Sequence, residues 1–206
     1  MKIAREGIVF IVPPVGLAIL FFWLGLWPAG IAFVLLALFM AFFFRDPKRE
    51  PPTDANVVVS PADGRVTRIS ALEEANENSA TLVSIFLSPL NVHINRSPIA
   101  GEVTSVSYMR GKFLPATDRR ASLINEQNVL TIQGDKITVV CKQIAGIVAR
   151  RIVCWKRAGD HVTLGERIGL IKFSSRTDLV LPGNVEVLVA VGDRVRGGTT
   201  IIGRIR

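Results

Sequence analysis

From Gly7 to Phe44 the chain carries no charged, hydroxyl or amide side chain, only apolar residues interrupted by Gly and Pro. Such a run belongs in lipid. Ile8 to Trp27 supplies about 20 residues, enough to cross roughly 30 Å of hydrocarbon; Ile31 to Phe44 supplies about 14, which crosses only if its neighbours extend it and otherwise dips in. Pro13-Pro14 interrupts or kinks the first helix, and "WPAG" (Trp27 to Gly30) provides a turn, so the pattern predicts a hydrophobic helical hairpin over residues 1–45. "RDPKREPPTDAN" (Arg45 to Asn56) is charged and Pro-rich, and reads as a linker over 46–56. From Val57 onward, short runs of Val, Ile and Thr are punctuated by Gly, Asp, Asn and Pro, which predicts a mainly β domain over 57–206. Thr117 to Asn128 is its one helical stretch, with Asp118 favouring a helix start.

Two internal echoes refine that domain. "SPADGRVTRI" (Ser60 to Ile69) matches "SPIAGEVTSV" (Ser97 to Val106), and "GDHVTLGERIGLI" (Gly159 to Ile171) matches "GDRVRGGTTIIGRI" (Gly192 to Ile205). Each is a turn leading into a short strand. Paired echoes of this kind predict a compact antiparallel β-sandwich or half-barrel with pseudo-two-fold repeats, resembling the biotinyl and lipoyl carrier fold. The likeness is architectural, because a carrier lysine needs a hairpin tip and Lys172 lies in an apolar run.

Charge narrows the partners. Lys and Arg number 25 against 17 Asp and Glu, a net charge of +8, which suits an anionic lipid surface or a nucleic acid. The apolar hairpin favours lipid, and the single Tyr and few other aromatics of the β domain leave little for base stacking, so no nucleic acid is expected. Lys2 and Arg5 before the hairpin, and Arg45, Lys48 and Arg49 after it, place both ends and the β domain on the cytoplasmic side of a cell membrane. A cleaved signal peptide fits poorly, since a second apolar run stands where the mature chain would begin. Cys141 and Cys154 have no metal-ligand spacing and are expected to be reduced.

"GLIKFSSRTDLVLPG" (Gly169 to Gly183) reads as one strand whose centre holds Ser174, Ser175 and Arg176. Of two histidines, His161 sits in a "GDHV" turn and reads as solvated, whereas "LNVHINRSP" puts Asn91, His93 and Asn95 on one strand face that meets solvent or lines a site. Asp63 in "SPADGRV" is either a turn residue before Gly64 or an acidic partner. A serine, a histidine and a carboxylate are the parts of a base-activated nucleophile, but sequence order alone does not bring them together.

Five stretches in order, "FFFRDPKREPP" (Phe42 to Pro52), "VVVSPADGRV" (Val57 to Val66), "NVHINRSPIAGEV" (Asn91 to Val103), "GKFLPATDRRASLINEQN" (Gly111 to Asn128) and "GLIKFSSRTDLVLP" (Gly169 to Pro182), resemble the short, membrane-anchored phosphatidylserine decarboxylases of prokaryotes. The resemblance implies a proenzyme in which a serine attacks the preceding carbonyl and becomes a covalent pyruvoyl group, with no external cofactor and no metal. Carried onto this chain, that serine is Ser175, the cleavage site is Ser174-Ser175, the products are a β chain of 1–174 and an α chain of 175–206, and Asp63 and His93 complete the processing triad. The implied reaction converts phosphatidylserine to phosphatidylethanolamine at the membrane, with His93 as proton donor.

The resemblance has one departure. The family usually reads "FGSR" and this chain reads "FSSR", with a Cβ at position 174 where Gly would tolerate the strained turn an N-to-O acyl shift needs. Cleavage of a Ser-Ser bond resembles that of the pyruvoyl-dependent histidine decarboxylases; alternatively Ser174 slows or blocks cleavage and traps the precursor, and the second account is the one expected here. Arg96, Arg110, Lys112, Arg119, Arg120 and Arg176 are candidates for the lipid phosphate. Exposed strand edges and the hairpin allow a homodimer. The rival reading is an unprocessed, membrane-tethered β domain that binds anionic lipid or a partner protein without catalysis.

Overall fold

The computed structural model describes residues 2–72, 80–116, 118, 120–147, 151–173 and 175–206. The chain divides into two compact units, 1–48 and 49–206, so the break falls inside the segment read as a linker.

In the first unit, β1 (Lys2–Ile3) pairs antiparallel with β2 (Arg45–Asp46), and between them run α1 (Ile8–Trp23) and α2 (Trp27–Phe43). The predicted hairpin is present, with its turn displaced. Gly25 at φ +75° makes the reversal, while Pro28 lies in the first turn of α2, where a missing N–H costs nothing. Pro13 and Pro14 are accommodated within α1. Gly30 lets the Phe22 ring close on α2, since a Cβ there would meet the ring at 2.6 Å, and Phe21 stacks on Phe33 at 5.3 Å.

The second unit is a mainly β domain. In chain order it contains β3 (Val57–Val59), β4 (Gly64–Leu72), β5 (Ala80–Leu87), β6 (Ile94–Arg96), β7 (Gly101–Met109), α3 (Ala121–Ile124), β8 (Gln127–Gln133) and β9 (Thr138–Ala145). There follow β10 (Ile152–Cys154), β11 (His161–Val162), β12 (Arg167–Ile171), β13 (Ser175–Pro182), β14 (Val185–Val187), β15 (Arg194–Val195) and β16 (Ile201–Ile205). Among the described residues, the largest sheet has eight antiparallel strands in the order β11-β7-β8-β9-β13-β5-β4-β15, curled into a half-barrel. Two three-stranded sheets, β10-β12-β6 and β14-β16-β3, accompany it. Alternation along the strands sends Val66, Val83, Ile85, Leu130, Ile132, Val139, Cys141, Leu179 and Leu181 into one core.

The sequence echoes are structural repeats. β15 pairs with the start of β4, Arg194 opposite Arg65; β11 pairs with the start of β7, His161 opposite Glu102. The flanking hydrogen bonds repeat as well: Gly198 N–H donates to Ser60 O and Gly165 N–H to Ser97 O, at 2.8 and 2.9 Å. Both glycines have positive φ, +76° and +72°, so each copy of the motif needs a residue without a Cβ at this turn.

Two expectations are corrected. Gly169 to Gly183 is not one strand: β12 ends at Ile171, β13 begins at Ser175, and the two lie in different sheets. The helix expected over Thr117 to Asn128 is the single turn α3, because the Lys112 backbone bonds Ile124 O and Glu126 N–H and draws the following residues into β8; Thr117 and Arg119 lie outside the described residues.

Candidate active site

Ser175 opens β13 directly after the chain changes sheets. It stands between Leu87 at the end of β5 and Ala145 at the end of β9. Phe173, two residues earlier, has φ +57°, a conformation that costs a residue with a Cβ about 1–2 kcal/mol. Ser174, the other half of the expected cleavage site, lies outside the described residues. Ser175 is fully buried, and its Oγ has no hydrogen-bond partner among the described residues. An unpartnered buried hydroxyl is costly, by about 1–3 kcal/mol, and is the state expected of a group held for chemistry. Such a residue fits the precursor of a group made from serine itself.

His93 lies just before β6 rather than within it, and the polar face predicted around it is buried: His93 and Asn95 are both 0% exposed. Its carbonyl accepts the Ile171 N–H at 3.2 Å, tying the histidine to the end of β12, four residues from Ser175. Nδ1 lies 3.0 Å from the Asn91 carbonyl. A carbonyl only accepts, so Nδ1 carries a proton and donates to it, and the ring's other nitrogen, Nε2, is the one left for proton transfer.

Asp63 precedes β4 and is buried at the wall of a cavity of about 980 Å³, which Asn91 also lines. Its Oδ1 accepts the Gly197 N–H at 2.7 Å and its Oδ2 pairs with Arg49 at 2.6 Å. Neither Ser175 nor His93 forms the wall of that cavity; Phe86 and Ser88 do, and they flank Leu87, the register partner of Ser175.

One residue laces the three segments together. Asn95, two positions after His93, donates through Nδ2 to Thr177 Oγ1 at 2.8 Å and to Pro61 O at 3.4 Å. Thr177 is two positions after Ser175, and Pro61 two before Asp63. Asn95 Oδ1 in turn accepts from Gln143 Nε2 at 2.9 Å, and Gln143 Oε1 accepts from Asn128 at 3.0 Å. These polar side chains occupy the core face at the end of the half-barrel where Ser175 sits. The pattern gave the strands but not this network, since polar residues at inward positions look like ordinary alternation.

On the opposite face Arg176 and Asp178 form a buried ion pair, Nε to Oδ1 at 2.9 Å. Burial pushes the Asp178 carboxyl above its usual range, against the pull of Arg176, Ser84 and Lys142. Arg176 also donates to the carbonyls of Ala116 and Asp118, and Arg96 donates to Gly165 O, so both guanidiniums have protein acceptors. Arg110 and Lys112 are exposed, and Arg120 pairs with Asp118. Sequence reasoning overlooked Arg65, Arg194 and Arg196, which line the cavity beside Asp63. Cys141 and Cys154 are unbridged, and burial pushes the Cys141 thiol up to about 12.

Comparison with known proteins gives these observations a setting. The family model described as phosphatidylserine decarboxylase matches residues 36–203. The phosphatidylserine decarboxylase proenzyme of Solibacter usitatus (strain Ellin6076) is 48% identical over 204 residues, covering 99% of this chain and 97% of that one. The proenzyme of the same name from Symbiobacterium thermophilum is 48% identical over 206 residues, 98% of this chain and 95% of that one. That of Gluconobacter oxydans (strain 621H) is 50% identical over 185 residues, 86% and 80% of the two chains.

Proposed function

The chain belongs to the phosphatidylserine decarboxylase family, and on that premise we propose that it is made as a proenzyme, cuts itself between Ser174 and Ser175, and decarboxylates phosphatidylserine at a membrane surface. It is an enzyme of the carboxy-lyase class. The observation that carries the self-cleavage is the buried Ser175 hydroxyl, unpartnered among the described residues, at the mouth of β13. In the proposed step Oγ adds to the carbonyl carbon of residue 174, the C–N bond breaks, and the peptide becomes an ester. Loss of the Ser175 α-proton then expels the carboxylate of residue 174, and water replaces nitrogen, which leaves as ammonia.

His93 Nε2, the nitrogen that does not face the Asn91 carbonyl, takes the hydroxyl proton in this scheme. Asp63 provides a fixed negative charge that offsets the imidazolium so formed. Once made, the pyruvoyl group at position 175 supplies an electrophilic ketone and a sink for the electron pair released with carbon dioxide. His93 then returns a proton to the substrate carbon. Ser174 in place of Gly slows the first step, so precursor accumulates beside the processed form.

The N-terminal hairpin is the proposed anchor. Arg5 to Trp23 is a 19-residue helical stretch of mean hydropathy 2.0, and α2 is a shorter apolar helix. By the positive-inside tendency its basic flanks put both ends on the cytoplasmic side. A homodimer is consistent with this reading and adds nothing to it.

Intact-mass analysis of the purified full chain tests the proposal. The expected result is a 32-residue fragment, 175–206, lighter than its unmodified sequence by one ammonia and blocked at its N-terminus. Ser175→Ala should give one chain and no release of carbon dioxide. A preparation that decarboxylates phosphatidylserine while every chain retains an intact Ser174-Ser175 bond would overturn it, and a single inert chain would favour the tethered binding domain.

A further inference from the structure

The two halves of the pseudo-two-fold repeat differ most in charge. In the first, His161 on β11 faces Glu102 on β7; in the second, Arg194 on β15 faces Arg65 on β4. The next outward position repeats the difference, Thr163 in one copy and Arg196 in the other. The two strand pairs are otherwise alike, with Gly192 N–H on Val66 O matched by Gly159 N–H on Val103 O, so the fold does not require arginine at these sites. Like charges directly opposite in an antiparallel pair are unfavourable. Arg65, Arg194 and Arg196 are exposed, and among the described residues none of the three has an ion-pair partner. The nearby carboxylates are engaged: Asp63 by Arg49 and Gly197, Asp193 by the Ala190 N–H.

All three arginines line the 980 Å³ cavity that Asp63 borders, together with Phe86 and Thr199. We propose that Arg65, Arg194 and Arg196 form the subsite for the phosphodiester of the lipid substrate. Two guanidiniums on paired strands offer forked donors to the two free oxygens of a phosphodiester, and one negative charge relieves the repulsion between them. Arg65 is register partner to Phe86, and Phe86 to Arg176, so it lies in the Arg176 row, on the face opposite the Ser175 side chain, with its backbone two strands from the start of β13, about 10 Å away. Arg65 and Ser175 both lie at the end of the sheet where β13 begins, so the serine end of a phosphoserine headgroup passes round that end to reach the Ser175 side. The identity of the phosphate's bearer rests on the decarboxylase reading; the anion site itself rests on the charge asymmetry of the repeat.

Binding of glycerophosphoserine to the full chain in detergent micelles, followed by ligand-observed NMR, tests the proposal without requiring turnover. Arg65→Gln and Arg194→Gln should each weaken binding about tenfold, as expected for loss of one charge-assisted contact. Arg194→Glu should abolish it while leaving Tm unchanged or higher, because Glu then faces Arg65 as Glu102 faces His161. Unaltered affinity in Arg194→Glu overturns the subsite. So does a loss of attachment to phosphatidylglycerol vesicles with glycerophosphoserine affinity intact, which would make the cluster a contact for bulk lipid. If wild type binds glycerophosphoserine through these arginines yet intact mass shows no processing, the subsite stands and the decarboxylase reading fails.

Discussion

Asn95 donates a 2.8 Å hydrogen bond to Thr177 across the gap between two sheets, joining the strand that follows His93 to the strand that Ser175 opens. Both residues are fully buried, so the bond is not replaceable by water. Because the same amide reaches Pro61, the carboxylate, imidazole and hydroxyl segments share one fastener.

Asn95→Ala should therefore separate geometry from stability. Loss of the donor and of the acceptor for Gln143 costs about 2 kcal/mol, and a displacement on the order of 1 Å at the reacting atoms slows cleavage about 100-fold. Thr177→Val, which removes only the acceptor, should slow cleavage with a smaller fall in Tm. The half-time of two-chain formation on a denaturing gel and a melting curve read the two effects. Wild-type cleavage in a variant with lowered Tm would reduce the network to a packing role.

Backbone strain before the proposed scissile bond gives a second expectation. Phe173 is the one non-glycine residue with positive φ among those described, and it directly precedes Ser174. Gly at 174 frees the backbone to follow that turn, so Ser174→Gly should shorten the cleavage half-time about tenfold. Phe173→Gly should act oppositely, relaxing the turn that favours the acyl shift and slowing cleavage while raising stability by about 1 kcal/mol. Equal band patterns for wild type and Ser174→Gly at every time point would refute the first half.

Local pattern carried the β class, the hairpin and the repeats, because alternation and glycine turns are set by residues a few positions apart. It failed where distant chain decided the outcome. Nothing between Ile171 and Ser175 announces a change of sheet, since the apolar run continues on both sides. The expected helix after Asp118 gave way to backbone bonds from Lys112, and Asn95 found its acceptor Thr177 on β13, 82 positions away. The arginine cluster joins residues about 130 positions apart, yet a signal existed: aligning the two echoes exposes Glu102 against Arg65 and His161 against Arg194.

Glu166 provides a pH test of the scaffold that delivers β12 to the site. Its backbone carbonyl holds the Ser97 N–H at 2.7 Å, and its carboxylate pairs with Lys156 and accepts from Thr163. Burial raises its pKa, but the hydrogen bonds from Lys156 and Thr163 outweigh burial and leave it below the usual 4.5. A carboxyl whose folded pKa is depressed contributes stability that is complete above the unfolded value and is lost as pH falls through the folded one. Since the side chain is 35% exposed, screening holds that contribution to about 0.5 kcal/mol. Glu166→Gln should accordingly lower Tm by about 2 °C at pH 7, and the gap should close as the pH falls below 4.5. Asp178, whose pKa is raised, changes in the opposite sense over acid pH but is common to both proteins and cancels in the difference. A Tm gap that stays constant down to pH 3 would mean that the Glu166 charge contributes nothing and that only its packing matters.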